Sequence, residues 1–92
     1  MPGRLSDDDV ATRLVGLDWT REGDELVKQR TLRDFAAAMT FVNGVASLAE
    51  QANHHPDIAI SWNRVTLRLT THSAGGLTPL DLDLARQIDA IS

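Results

Sequence analysis

Residues Ile58 to Leu69 alternate apolar side chains with small or polar ones, and the alternation breaks phase once, at Asn63–Arg64. Period two specifies strands with one covered face. A two-residue turn at Asn63–Arg64 pairs Trp62 with Val65, Ile60 with Leu67 and Ile58 with Leu69, which gathers all six apolar side chains on one face. This register puts Trp62 in the core and leaves Ala59, Ser61, Thr66, Arg68 and Thr70 on an open face. Carried past Pro56, it also sets residue 55 opposite residue 72.

An earlier strand pair is expected over 17–21 and 25–30, turning at Gly23 and Asp24. Helix starts surround the pairs. Ser6 with Asp9, Thr31 with Asp34, and Thr78 with Asp81 each set a hydroxyl three residues before a carboxylate, the spacing of a capping box. Pro79 adds a residue suited to the first helical turn. The predicted helices cover 7–15, 32–52 and 79–91, the first stopping at Gly16. The long helix carries one apolar stripe through Leu32, Phe35, Met39, Val42, Ala46 and Ala49, expected to face a core. Beside it runs a second through Ala38, Phe41, Val45, Leu48 and Ala52. Gly44 lies inside this helix as a mild propensity cost. The order helix, two strands, helix, two strands, helix predicts an α+β fold: a four-stranded antiparallel sheet with three helices on one face.

At 92 residues the chain is read as a single domain, 1–92. A domain of this size buries about 60–70% of the surface its unfolded chain exposes, so association would add useful stability. Without cysteine, a disulfide framework, a thiol nucleophile and a cysteine-ligated zinc site are excluded. The formal net charge is −4, and the basic residues gather only at Lys28, Arg30 and Arg33, so no nucleic-acid footprint is expected. The opening MPGRLSDDD lacks the apolar segment of a signal peptide, and no apolar run approaches a membrane span. A cytoplasmic protein is expected.

The chemistry concentrates in three histidines. His54 and His55 are adjacent, between the long helix and Pro56, and His72 ends the last strand, so all three converge on one rim of the sheet. Imidazole, with an unperturbed pKa of about 6.5, accepts and returns protons near neutrality. Several around one rim suit removal of a hydroxyl and a proton from neighbouring atoms. Glu50, four residues before His54, shares a helical face with it and is expected to orient that ring. A three-histidine zinc site is the chemical rival, but the HExxH spacing is absent and adjacent histidines are awkward ligands for one ion. Trp19 is left between packing and stacking on a flat heterocycle, and the THSAGGL turn between a tight connection and a pocket wall.

Glu50, His54–His55–Pro56, Trp62, His72 and Asp81, within the stretch EQANHHPDIAISWNRVTLRLTTHSAGGLTPLD, resemble the core motif of the pterin-4a-carbinolamine dehydratase family. Trp19 and DFAAAMTFVNGVASLAE extend the likeness over most of the chain. The resemblance implies an α+β enzyme that dehydrates 4a-hydroxytetrahydropterin to quinonoid dihydropterin, with neither metal nor organic cofactor. It implies His54, His55 and His72 as catalytic residues with Glu50 as their carboxylate. The expected substrate contacts are His55, Pro56, Asp57, Trp19, Thr71 and Ser73. The implied assembly is a homodimer or homotetramer. The alternative is a non-catalytic binding or assembly module on the same scaffold.

Overall fold

A computed structural model describes residues 3–92. Met1 and Pro2, which begin the segment read for a leader, lie outside the described residues. The elements are α1 (Asp7–Leu14), β1 (Thr20–Glu22), β2 (Glu25–Thr31), α2 (Phe35–Ala52), β3 (Asp57–Ser61), β4 (Arg64–Leu69) and α3 (Pro79–Ile91), with a single 3-10 turn at His72–Ala74. The strands form one antiparallel sheet in the order β1-β2-β4-β3, with the helices on one face. The expected fold is the observed one. Among the described residues no helix is long and apolar enough to cross a membrane.

The core lies between sheet and helices. Leu26 from β2 and Val65, Leu67 and Leu69 from β4 meet Val10 of α1, Val45 of α2 and Leu82, Leu84 and Ile88 of α3, all fully or almost fully buried. β4 is central and alternates buried with half-buried residues, while the edge strand β3 is exposed along its length. The period-two pattern therefore marks the covered face correctly, but only the central strand is sealed by helices.

The β3–β4 register differs from the expected one by two residues. Ile60 pairs with Val65 and Ile58 with Leu67, and the turn residues are Trp62 and Asn63. A two-residue slip keeps every side chain on its own face, so patterning alone does not distinguish the two registers. Trp62 is consequently not a core residue. It sits at φ 53°, unusual for a bulky residue, and is 64% exposed. The turn is clamped to the β2–α2 link, where Leu32 N–H donates to Asn63 O at 2.8 Å and Asn63 Nδ2 donates to Leu32 O at 2.9 Å.

Two helix ends follow the sequence and one does not. Ser6 Oγ accepts from Asp9 N, and Thr78 with Asp81 forms a complete capping box. At the second site Thr31 remains the last residue of β2, and Asp34 itself is the cap, accepting from Ala37 N at 2.8 Å. The inward face of α2 is Ala38, Phe41, Val45 and Ala49. Of the stripe expected to face a core, only Ala49 is buried, and Phe35 is 52% exposed. Both stripes are helical in period, and the sheet can cover only one of them.

Candidate active site

α2 ends at Asn53, which adopts left-handed angles (φ 49°, ψ 42°) and donates back to the last turn. Asparagine tolerates this conformation better than branched residues do, and it reverses the chain direction. His54 N–H still reaches Ala49 O, at 3.1 Å. The reversal carries the next two imidazoles to different carboxylates. His54 turns inward, with only 11% of its side chain exposed, and its Nε2 lies 2.5 Å from Asp81 Oδ1. His55 stays outside, 56% exposed, with Nε2 2.5 Å from Glu50 Oε2. Glu50 is thus the partner of His55, not of His54 as expected. A left-handed residue between the helix and His54 breaks the i, i+4 geometry on which that expectation rested.

Asp81 is the side chain that sequence reasoning left as little more than a helix cap. It does cap α3, its Oδ2 accepting from Thr78 N at 3.0 Å. The same oxygen accepts from Thr71 Oγ1 at 2.8 Å, and the carboxylate is completely buried. Thr71 and Thr78 hydroxyls lie 2.9 Å apart. A buried carboxylate must be compensated, and here an imidazole, a hydroxyl and a backbone N–H surround it. The available signal was the double duty of one residue: Asp81 ends the motif and occupies the third position of a capping box.

The remaining expected residues divide. His72 opens the 3-10 turn, exposed, directly after Thr71. It does not pair with residue 55, because β3 begins at Asp57 and β4 ends at Leu69. The buried chain His54–Asp81–Thr71 has exposed histidines as the sequence neighbours of its two ends, His55 and His72. Pro56 is half-buried beside them, and Asp57 and Ser73 are exposed. Gly75, at φ 71°, closes the turn, and Thr71 bridges to Gly76. Thr71 is not available as a substrate contact, since it is buried and its hydroxyl is bonded to Asp81 and Thr78. Nor is Trp19. It is 8% exposed, and its Nε1 donates to Asp89 Oδ1 at 2.9 Å and Ala85 O at 3.2 Å. Asp89 Oδ1 also accepts from the buried Lys28 at 2.9 Å, forming a polar clasp between β2, α3 and the β1 approach. Among the described residues no three histidine, aspartate or glutamate side chains are grouped as metal ligands.

The family model for pterin 4 alpha carbinolamine dehydratase matches residues 3–91. A protein of Roseiflexus sp. strain RS-1, provisionally named a pterin-4-alpha-carbinolamine dehydratase, is 56% identical over 92 residues, covering 99% of each chain. One of the same provisional name from Nocardia farcinica is 55% identical over 89 residues, covering 96% of this chain and 94% of that one. Among solved structures, a transcriptional coactivator/pterin dehydratase from Brucella melitensis superposes with a TM-score of 0.91 at 33% identity, covering 97% of this chain and 98% of that one. A pterin dehydratase-like RuBisCO assembly factor of the alpha-carboxysome shares the fold, with a TM-score of 0.65 at 21% identity over 82% of this chain and 87% of that one.

Proposed function

Because the chain belongs to the pterin-4a-carbinolamine dehydratase family, we propose that it dehydrates a 4a-hydroxytetrahydropterin to quinonoid dihydropterin and water, acting as one domain over residues 1–92. The observation that carries this reading is the buried His54–Asp81 pair with exposed His55 and His72 beside it.

The reaction needs two proton movements. The C4a–oxygen bond breaks as an acid protonates the departing hydroxyl, which leaves as water. A base takes the N5 proton, and the electrons left on N5 form the N5=C4a double bond. His54 and His72 carry these transfers. Asp81 orients His54, as a buried carboxylate orients an imidazole in other acid–base sites. His55, held by Glu50, positions the substrate, with Pro56, Asp57 and Ser73 on the same rim. No group beyond the protein and its substrate is required for the proton balance.

The direct test is to add purified protein to freshly generated 4a-hydroxytetrahydropterin and follow the appearance of quinonoid dihydropterin. The expected result is acceleration by the native chain, with loss of about 10²–10⁴-fold in His54→Ala and His72→Ala. Unchanged rates in both variants would refute the assignment of roles. No acceleration by the native chain would refute the activity and favour the assembly-module reading.

The protein also works as a homo-oligomer in this reading, a dimer most simply or a tetramer. Support comes from the start of α2, where Phe35 is exposed and Met39, one turn on, is half-buried, and from the unpaired outer edges of β1 and β3. Sedimentation decides this. A mass near 10.1 kDa at all concentrations would exclude association.

A further inference from the structure

The buried hydroxyls behind Asp81 have a direction that can be worked out. Thr78 Oγ1 accepts from Leu80 N at 3.2 Å, and its remaining buried neighbour is Thr71 Oγ1 at 2.9 Å. A hydroxyl has one proton. If Thr78 gives its proton to Thr71, then Thr71 gives its own to Asp81 Oδ2, 2.8 Å away, and every group is satisfied. Reversing the chain makes Asp81 the donor to Thr71 and Thr71 the donor to Thr78. The Thr78 proton then has no acceptor, although Thr78 and Asp81 are both completely buried. Only the forward direction leaves no orphan.

The forward direction fixes what His54 meets. Oδ2 accepts two donors, Thr71 O–H and Thr78 N–H, and so carries no proton, and in the carboxylate form Oδ1 is an acceptor as well. Oδ1 therefore accepts from His54 Nε2–H across 2.5 Å. We infer that the Thr78–Thr71 hydroxyl chain locks His54 into its Nε2–H tautomer, making Nδ1 the nitrogen that exchanges protons with the substrate. Thr71 and Thr78 are positioning residues, since they act through Asp81 and touch no reacting atom. The kinetic part of this inference rests on the dehydratase reading, while the tautomer itself does not.

The same logic makes Asp81→Asn a sharp probe. The two donors at the Oδ2 position demand the amide oxygen there, which leaves the amide NH₂ facing His54. An NH₂ donates, so Nε2 must become the acceptor and the ring must switch to Nδ1–H. The experiment is nitrogen–proton correlation spectroscopy of histidine-labelled protein, above the pH at which the rings become neutral, with turnover measured on the same samples. The native protein is expected to give an Nε2–H ring for His54. Asp81→Asn is expected to give Nδ1–H and to lose on the order of 10²–10⁴-fold in rate. Adding Thr71→Val to Asp81→Asn leaves Thr78 N–H as the one donor at the Oδ2 position, which weakens the preference for the amide oxygen there and is expected to raise the Nε2–H fraction, and Thr71→Ser alone behaves as native. A native Nδ1–H ring would overturn the inference. So would an Asp81→Asn ring that keeps Nε2–H, or identical spectra with and without the Thr71 hydroxyl when both proteins carry Asp81→Asn. If the variants fail to fold, the native spectrum and Thr71→Ser still decide it. Should the native chain not turn over pterin, the activity reading fails while the spectra still test the tautomer.

Discussion

Glu50 Oε2 and His55 Nε2 meet 2.5 Å apart at the exposed end of α2, on the solvent side of a chain reversal that sends His54 to Asp81. Both members of this outer pair are well exposed, and exposed ion pairs are worth about 0–1 kcal/mol. Glu50→Gln is therefore expected to lower pterin turnover by about fivefold or less, the rate equivalent of such a pair, far below the effect of Asp81→Asn. Steady-state rates of the two variants in parallel check this. A larger loss in Glu50→Gln would mean that Glu50, not Asp81, supports the principal imidazole.

Lys28 is only 3% exposed on the covered face of β2 and meets Asp89 at 2.9 Å and Asp18 at 3.1 Å. Its removal leaves Asp89 with only Trp19 Nε1 and Asp18 N–H as donors. Lys28→Ala is expected to destabilise by about 2–4 kcal/mol through a cavity and a weakened clasp, and Lys28→Met by clearly less, because the apolar stem is retained. Urea unfolding of the two variants measures the difference. Equal losses would mean that charge pairing, rather than packing, dominates.

Asp34 caps α2, and the Ala37 backbone N–H, followed by Arg33 beside it, holds its carboxyl below the ordinary value of 3.8. A lowered folded value stabilises the ionised form. The contribution is complete above pH 3.8 and is lost as the pH falls through the lower folded value. The gap in melting temperature between native protein and Asp34→Ala should be constant near neutrality and narrow in acid. A gap that widens in acid would reverse the sign.

Gly44 packs where α3 ends against α2. A Cβ built there approaches the tip of the Ile91 side chain at 2.9 Å. Ile91 is 45% exposed, so that methyl can move aside. The gain in helix propensity, up to about 1 kcal/mol, should then prevail. Gly44→Ala is expected to raise the thermal midpoint slightly, and a fall would show that Ile91 is held more firmly than its exposure implies.

The fold was legible wherever local chemistry and burial agree. The box Thr78–Pro79–Asp81 needs nothing but its own backbone, and it stands as read. The alternation in β4 reports a central strand covered by helices, and it too stands. The failures share a cause: the deciding contact lies outside the local pattern. Thr31 had the spacing of a cap but pairs with Arg64 in the sheet. Trp62 has the pattern of a strand residue, but the clamp between Asn63 and Leu32 makes it part of the turn. At the site, the three histidines were readable as the concentration of imidazole in the chain. Their carboxylate partners were not, because one left-handed residue, Asn53, decides which imidazole enters the protein. Thr71 and Trp19 were expected at the ligand and are instead part of what holds the site and the sheet together.

β4 runs between two neighbours, and Thr71 follows it by two residues. The inner half of the site is thus attached to the strand least able to fray, and Asp81 to the first turn of a helix whose far side is core. Separating Asp81 from Thr71 means disturbing buried groups behind the central strand, a costlier event than a fluctuation at the surface. Glu50 and His55, by contrast, can part by side-chain rotation, on the picosecond-to-nanosecond scale of exposed groups. One imidazole is tied to a carboxylate that the core holds, while its neighbour in the chain is free to turn in solvent.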